Sequence, residues 1–300
     1  MASSFTTVDL SRLPLPPVIE AIAYEDILAA MLADLVARDA SFSALVESDP
    51  AMKVLQVCAY REMLIRQRVN DSAKAVMLAY AVGDDLDVIG GNFNVPRLLI
   101  EAGDPDLLPP TADVMEADDD YRRRIQLSFE GFTTAGSVGS YVFHALSADG
   151  DVKDVAVTSP TPGTVNVYVL ARTGDGAPSL DTLSAVTTAL NADEVRPLTD
   201  SVAVIGAGIV NYAITAELVL YPGPDADVVQ QAALDAITAH IDNIKRMGLD
   251  VSLSGIYAQL QQTGVQQVNL TLPATNVVVS PTQAANCTGI TLTVSAYRNE

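Results

Sequence analysis

The sequence predicts an α+β fold, an N-terminal helical arm followed by two small layered α/β units, and three observations predict it. Before residue 95, apolar residues recur at helical spacing with little strand material. From Gly136, helices alternate with strand-patterned runs in the order α-β-β-α-β, which suits one compact layered unit. The last third repeats the same mixture. As domains, these readings give 1–95 as a helical region, 96–135 as a linker and short helix, 136–208 as a first α/β domain and 209–300 as a second.

Leu13-Pro-Leu-Pro-Pro17 is a stiff, extended lead-in, because proline fixes φ and keeps its predecessor out of the helical region. Tyr24, Ile27, Leu28, Met31, Leu32, Leu35 and Val36 then share one side of a helix, with Asp26, Asp34 and Arg38 on the other. Asp49-Pro50 starts a second helix, aspartate as N-cap and proline at the first helical position. Its stripe is Val54, Cys58, Ile65 and Val69, and Val76, Met77, Tyr80 and Ala81 extend the helical pattern to Gly83. So few helices make a thin core, so they must pack on something else, either the rest of the chain or another subunit.

Residues 95–117 carry little pattern, with Gly103-Asp-Pro105 and Pro109-Pro110, and read as a linker or arm. Asp118-Asp119-Asp120 followed by Arg122-Arg123-Arg124 places acids before bases as a helix dipole prefers, so a short helix is expected there. The first α/β unit reads as helix 137–148, strand 152–158, a turn at Pro160 to Gly163, strand 164–170, helix 180–190 and strand 201–205. The second reads as strand 212–220 closed by Pro222-Gly-Pro224, a helix from Val228 to Ile244, a short helix 254–262 and strands near 265–272, 277–280 and 290–295. Gly139-Ser-Tyr141 through Val152-Lys-Asp-Val155 is echoed by Gly255-Ile-Tyr257 through Val265-Gln-Gln-Val268, each a short helix leading into V-x-x-V.

Seventeen basic against 37 acidic residues leave a net charge of −20, a field that repels nucleic-acid phosphates and anionic lipid headgroups. Neither nucleic acid nor membrane is expected as a partner. The N-terminus has no basic and apolar leader, which argues against secretion by a cleaved signal. Asn286-Cys287-Thr288 is then a chance match to the glycosylation pattern. Two distant cysteines, Cys58 and Cys287, make neither a disulfide framework nor a zinc site.

No group of residues makes a catalytic site, and no cofactor or metal is expected. Gly206-Ala-Gly208 after a strand imitates a dinucleotide fingerprint, but Asn211 stands where the third glycine belongs and a strand pattern follows where a helix should. It reads as a bend between strands. His144 and His240 lack a second ligand at metal spacing, and Asp84, Asp85 and Asp87 lack the rest of a calcium loop. Asp118 to Asp120 have nothing to separate their pKa values for acid–base work. In Arg196-Pro197-Leu-Thr-Asp200, a guanidinium and a carboxylate flank a rigid bend, and two readings stay open: a bidentate pair fixing the corner, or an exposed contact for a partner.

Taken in order, several stretches resemble the baseplate J-like family, the J wedge proteins of contractile-tailed bacteriophages and related contractile injection particles. They are Leu13-Pro-Leu-Pro-Pro-Val-Ile-Glu20, Gly83-Asp-Asp-Leu-Asp-Val-Ile-Gly90 with Arg97, and Glu116 through Ile125. Thr134-Ala-Gly-Ser137 with Tyr141, Val152 to Val155, Gly163-Thr-Val-Asn-Val, Gly174-Asp-Gly176, Arg196 to Asp200 and Gly264-Val265 complete the set. The resemblance implies a structural subunit rather than an enzyme. Such a subunit pairs with itself within each wedge and with small wedge proteins through helical segments, in a sixfold ring around the central hub and tube. It is assembled in the host cytoplasm and located in the virion tail baseplate. Leu28, Leu32 and Leu35, with Arg196 and Asp200, are the candidate interaction residues. The alternative is a soluble oligomeric adaptor unrelated to tails.

Overall fold

The computed structural model describes residues 8, 10, 13–133, 136–223 and 225–295. Met1 to Thr7 of the N-terminus, the Thr134-Ala135 pair of the resemblance and Pro224 of the strand-closing turn lie outside them. Contacts divide the chain into two compact units. The fold is mixed α+β, with helices first and sheet-containing layers after them.

The N-terminal unit spans Val8–Arg97 and takes back Ala117–Ile125. It holds α1 (Tyr24–Arg38), α2 (Pro50–Ala75), α3 (Gly83–Asn92) and the greater part of α4 (Asp118–Leu127). The proline-rich lead-in offers few N–H donors, so it is held through its carbonyls. The Tyr80 hydroxyl donates toward the Leu13 and Pro14 oxygens at 3.1 and 2.9 Å, and Asn70 of α2 clasps the backbone N–H and carbonyl of Glu20 at 3.0 and 2.9 Å. Asp49 occupies the N-cap position of α2 but turns its carboxylate back to the Val46 N–H at 2.8 Å, so the expected side-chain cap is replaced by a turn that closes on itself.

One expectation fails here for a visible reason. Met77 to Ala81 do not extend α2, which stops at Ala75. The Arg122 guanidinium takes the carbonyls of Leu78 and Ala81 at 2.8 and 2.7 Å, and the chain runs through turns to present them.

The second unit comprises Leu98–Glu116 and the chain from Gln126 onward. The patternless stretch expected as a linker is in part an antiparallel ribbon, β1 (Leu99–Glu101) against β2 (Val114–Met115). Strands this short cannot display alternation. A first layer follows: α5 (Val138–Ala148), β3 (Val152–Thr158), β4 (Thr164–Ala171), α6 (Leu180–Leu190) and β5 (Ser201–Gly206). Ser137 caps α5 and Ser179 caps α6, each hydroxyl accepting an N–H three residues on, at 3.2 and 3.0 Å. β4 is central, antiparallel to β3 and parallel to β5, with α6 as the crossover. Val155, Val157, Val167 and Val169 meet Tyr141, Ala145, Val186 and Leu190 in its core.

A second layer is built from β6 (Gly208–Leu220), α7 (Ala226–Ile244), α8 (Leu253–Leu260), β7 (Val265–Leu272) and β8 (Gln283–Ser295). Its sheet order is β7-β6-β8, again with the central strand antiparallel to one neighbour and parallel to the other. β6 starts four residues earlier than the alternation suggests, so Gly206-Ala-Gly208 is a one-residue bend between strands, with the Ala207 N–H on the Val169 carbonyl at 2.8 Å. β8 likewise starts at Gln283, and the strand expected at 277–280 is reduced to a single bridge between Val277 and Val251. Met247 N–H to Asp154, Lys153 to the Asp242 carbonyl and Lys245 to the Gly174 carbonyl, each at 3.0 Å, link α7 and the turn after it to the first layer.

The two layers place equivalent pieces in equivalent positions. α5 leads into β3, and α8 into β7, each strand lying antiparallel on its central strand. Both V-x-x-V segments carry a bulge at the second residue: Lys153 is skipped between the Val152 and Asp154 pairings, and Gln266 between those of Val265 and Gln267. The extra residue turns a spacing of three into a shared face, which buries both valines of each pair.

Candidate functional site

α2 is 26 residues long, about 39 Å at the helical rise. Its inward side is built from Met52, Ala59 and Asn70, all buried. The stripe of Val54, Cys58, Ile65 and Val69 falls on the opposite side by 3.6-residue arithmetic, joined by Val57 and Leu64. Val54, Val57, Ile65 and Val69 are between 58 and 65% exposed, and Cys58 is exposed with them. The helix therefore has two sides: one packed inward through Met52, Ala59 and Asn70, and an apolar one left in solvent. A row of exposed valines and isoleucine along several turns is the pattern of a protein contact surface. On α1, Ile27 is buried, whereas Leu28, Leu32 and Leu35 are half-buried, open on one side.

In the same unit, a polar lock ties α3, the segment after it and α4 together. The Arg97 guanidinium meets Asp87 at 2.7 Å and Asp118 at 2.8 Å, and lies 4.6 Å over the Tyr121 ring. The Tyr121 hydroxyl donates to the Val95 carbonyl at 2.7 Å, Arg124 to the Pro96 carbonyl at 2.6 Å, and the Gly83 N–H donates to Asp118 at 3.1 Å. Asp84 and Asp85 stand in the first turn of α3, exposed, while Asp87 serves the lock. The resemblance singled out Gly83 to Gly90 with Arg97 and, as another stretch, Glu116 to Ile125, and here the two meet.

Burial opposes ionisation of Asp118, but the Gly83 N–H, Arg97 and Arg122 outweigh it and hold its carboxyl below the usual carboxylate range. A depressed folded value means its stabilisation is complete above the unfolded pKa and is lost as pH falls through the folded one. Asp118→Asn is therefore expected to lower the melting temperature at pH 7, with the gap to wild type closing below about pH 4. Melts across that range check it, and a gap that stays constant with pH would remove the charge from the account.

The Arg196 corner has different geometry. Arg196 approaches the Asp200 main-chain carbonyl at 3.5 Å, and the Asp200 carboxylate accepts the Tyr141 hydroxyl at 2.7 Å. Burial and that carboxylate push the Tyr141 phenol well above its ordinary pKa, so it stays a donor. Gly136, in the left-handed region, leaves room for Pro197 and Asp200, which a β-carbon would crowd. Leu198 at the tip is fully exposed. The sequence offered no direct signal for Tyr141 as the partner of Asp200, since 59 residues separate them.

His144 sits in α5 with Nε2 3.3 Å from the Gly131 carbonyl and its ring edge-on to Phe143, and burial lowers its pKa. His240 packs against Gly255 between α7 and α8. Burial raises the pKa of the Cys287 thiol. Among the described residues no group of three or more His, Cys, Asp or Glu is placed to hold a metal ion, and no helix is long and apolar enough to cross a membrane.

Comparison with known proteins gives matches along most of the chain. Family models described as the Baseplate J-like N-terminal domain, central domain and C-terminal domain match residues 47–104, 133–206 and 212–293. The chain is 48% identical over 288 residues to Baseplate protein J of Escherichia phage P2, covering 94% of this chain and 95% of that protein. A chain in the cryo-EM structure of the anti-feeding prophage baseplate is similar over 59% of this chain and 42% of its own length, at 17% identity and a TM-score of 0.40.

Proposed function

The chain belongs to the baseplate J-like family, and on that premise we propose that it is a wedge subunit that pairs with itself through α2 and joins a ring around the tail axis. Its role is structural and its place is the virion tail baseplate. The observation that carries the finer reading is the exposed apolar face of α2, backed by a unit too thin to bury it. Two copies per wedge and sixfold closure complete the arrangement, with small wedge proteins on the same helices and hub or tube proteins inside the ring. Assembly takes place in the host cytoplasm. Residues 1–95 then serve assembly, 96–135 connect, and 136–208 and 209–300 are two α/β domains, supported by their two separate apolar cores and by family matches of similar extent. The Arg196 to Asp200 corner, with Leu198 at its tip, is a second contact.

Cys58 lies in the face itself, which supplies the test. In a Cys287→Ser background, a short bismaleimide added to purified tails is expected to link two copies, and mass spectrometry to count about a dozen copies per particle. Absence of the chain from sheathed particles, as for an unrelated adaptor, or a copy number far above that, would refute the reading. Leu28→Asp or Leu32→Asp is expected to block wedge formation on co-expression with a small wedge partner, read by size-exclusion chromatography, while the α/β layers keep their circular dichroism. Loss of the whole fold would instead make those leucines an internal core.

A further inference from the structure

The ribbon of β1 and β2 pairs three residues with two, and a lone two-stranded ribbon is marginal in water. Its base is seated: the Leu99 carbonyl lies where a β-carbon on Gly150 would be, and the Glu116 N–H donates to the Leu98 carbonyl at 2.8 Å. Its tip is laced by its own side chains, the Asp104 N–H on Thr111 Oγ1 and the Gly103 N–H on Asp113, both at 2.8 Å. So stiffened, it holds apolar groups in water. Leu108 is 97% exposed and Leu107 half exposed at the tip, while Leu99, Val114 and Met115 are exposed along the strands.

The ribbon's own charge is of one sign. Residues 98–121 contain no Lys or Arg, and Glu101, Asp104, Asp106 and Asp113 are all exposed. The tip also falls between the stretches that the family models match, 47–104 and 133–206.

We propose that this ribbon is a docking arm whose Leu107-Leu108 tip seats in an apolar recess on a different, basic subunit of the tail. Charge decides the occupant. A second copy of this chain brings the same surplus of acids, 37 against 17 bases, and would set like charge against the four carboxylates. Lys and Arg around an apolar recess answer both features of the arm. The proposal rests on the baseplate reading above.

A benzophenone amino acid placed at Leu108 in the full chain, followed by assembly into particles and illumination, tests it. The expected product is a link to one basic tail polypeptide, about tenfold or more above the same probe at the exposed Leu180. Leu107→Asp, or Glu101→Lys with Asp106→Lys, is expected to reduce that link by about tenfold or more. A link to a second copy, to an acidic polypeptide, or none above the Leu180 probe in particles that contain the chain, overturns the arm and leaves the wedge reading standing. Particles without the chain remove both.

Discussion

Ile65→Asp is expected to abolish self-association while leaving the fold of the single chain intact. Ile65 is 65% exposed on α2, on the side away from Met52, Ala59 and Asn70, so the isolated chain loses little when it changes. In the paired state the side chain would be desolvated. Losing its burial costs about 2 kcal/mol, and a carboxylate enclosed without a partner costs at least as much again. Together that weakens pairing by more than about 100-fold, since each 1.4 kcal/mol is tenfold. Analytical ultracentrifugation and the Cys58 link would read the loss, and thermal melting should overlap wild type. Pairing at wild-type strength would move the contact to another face.

Gly90→Ala carries the second large effect, on stability. A β-carbon at Gly90 would overlap the Tyr121 hydroxyl and ring and press on the Val95 carbonyl. Tyr121 is 1% exposed and bonded to that same carbonyl, so it has nowhere to go without giving up the bond. Overpacking of this kind costs about 3 kcal/mol, with a further ~1 kcal/mol if the hydroxyl is left unpaired. The loss should appear as faster hydrogen exchange in α3 and α4, with the sheet layers unchanged. Combined with Tyr121→Phe, which removes the nearest clashing atom, the same glycine change should cost less than it does alone. Equal costs would mean that the hydroxyl is not what Gly90 accommodates.

What the sequence made legible was periodicity, and what it hid was the choice of face. The stripe of Val54, Cys58, Ile65 and Val69 is real, but the unit packs the other side of α2, where Ala59 and Asn70 carry no hydropathy signal. Helices α4 to α8 and the central strands were legible because caps such as Ser137 and Ser179 and alternation such as that of Tyr212 to Leu220 are local. Features that depend on distant partners were not. Turns at Met77 to Ala81 answer Arg122, more than forty residues on, and Asp200 answers Tyr141. The V-x-x-V echo was visible as a repeat, whereas its meaning, a bulge in the same place in two sheets, needed the register.

The helical unit is closed by a piece of chain made late. Tyr121, Arg122 and Arg124 reach it only after the whole ribbon has been synthesised, since residues 98–116 intervene between Arg97 and α4. On a ribosome adding 5–20 residues per second, α3, the segment after it and the turns at Met77 to Ala81 wait roughly a second or more for Tyr121, Arg122 and Arg124. The outer valines of α2, complete by Ala75, are displayed throughout that interval. On the proposed pairing through α2, translation order therefore exposes the contact face before the unit that carries it is closed.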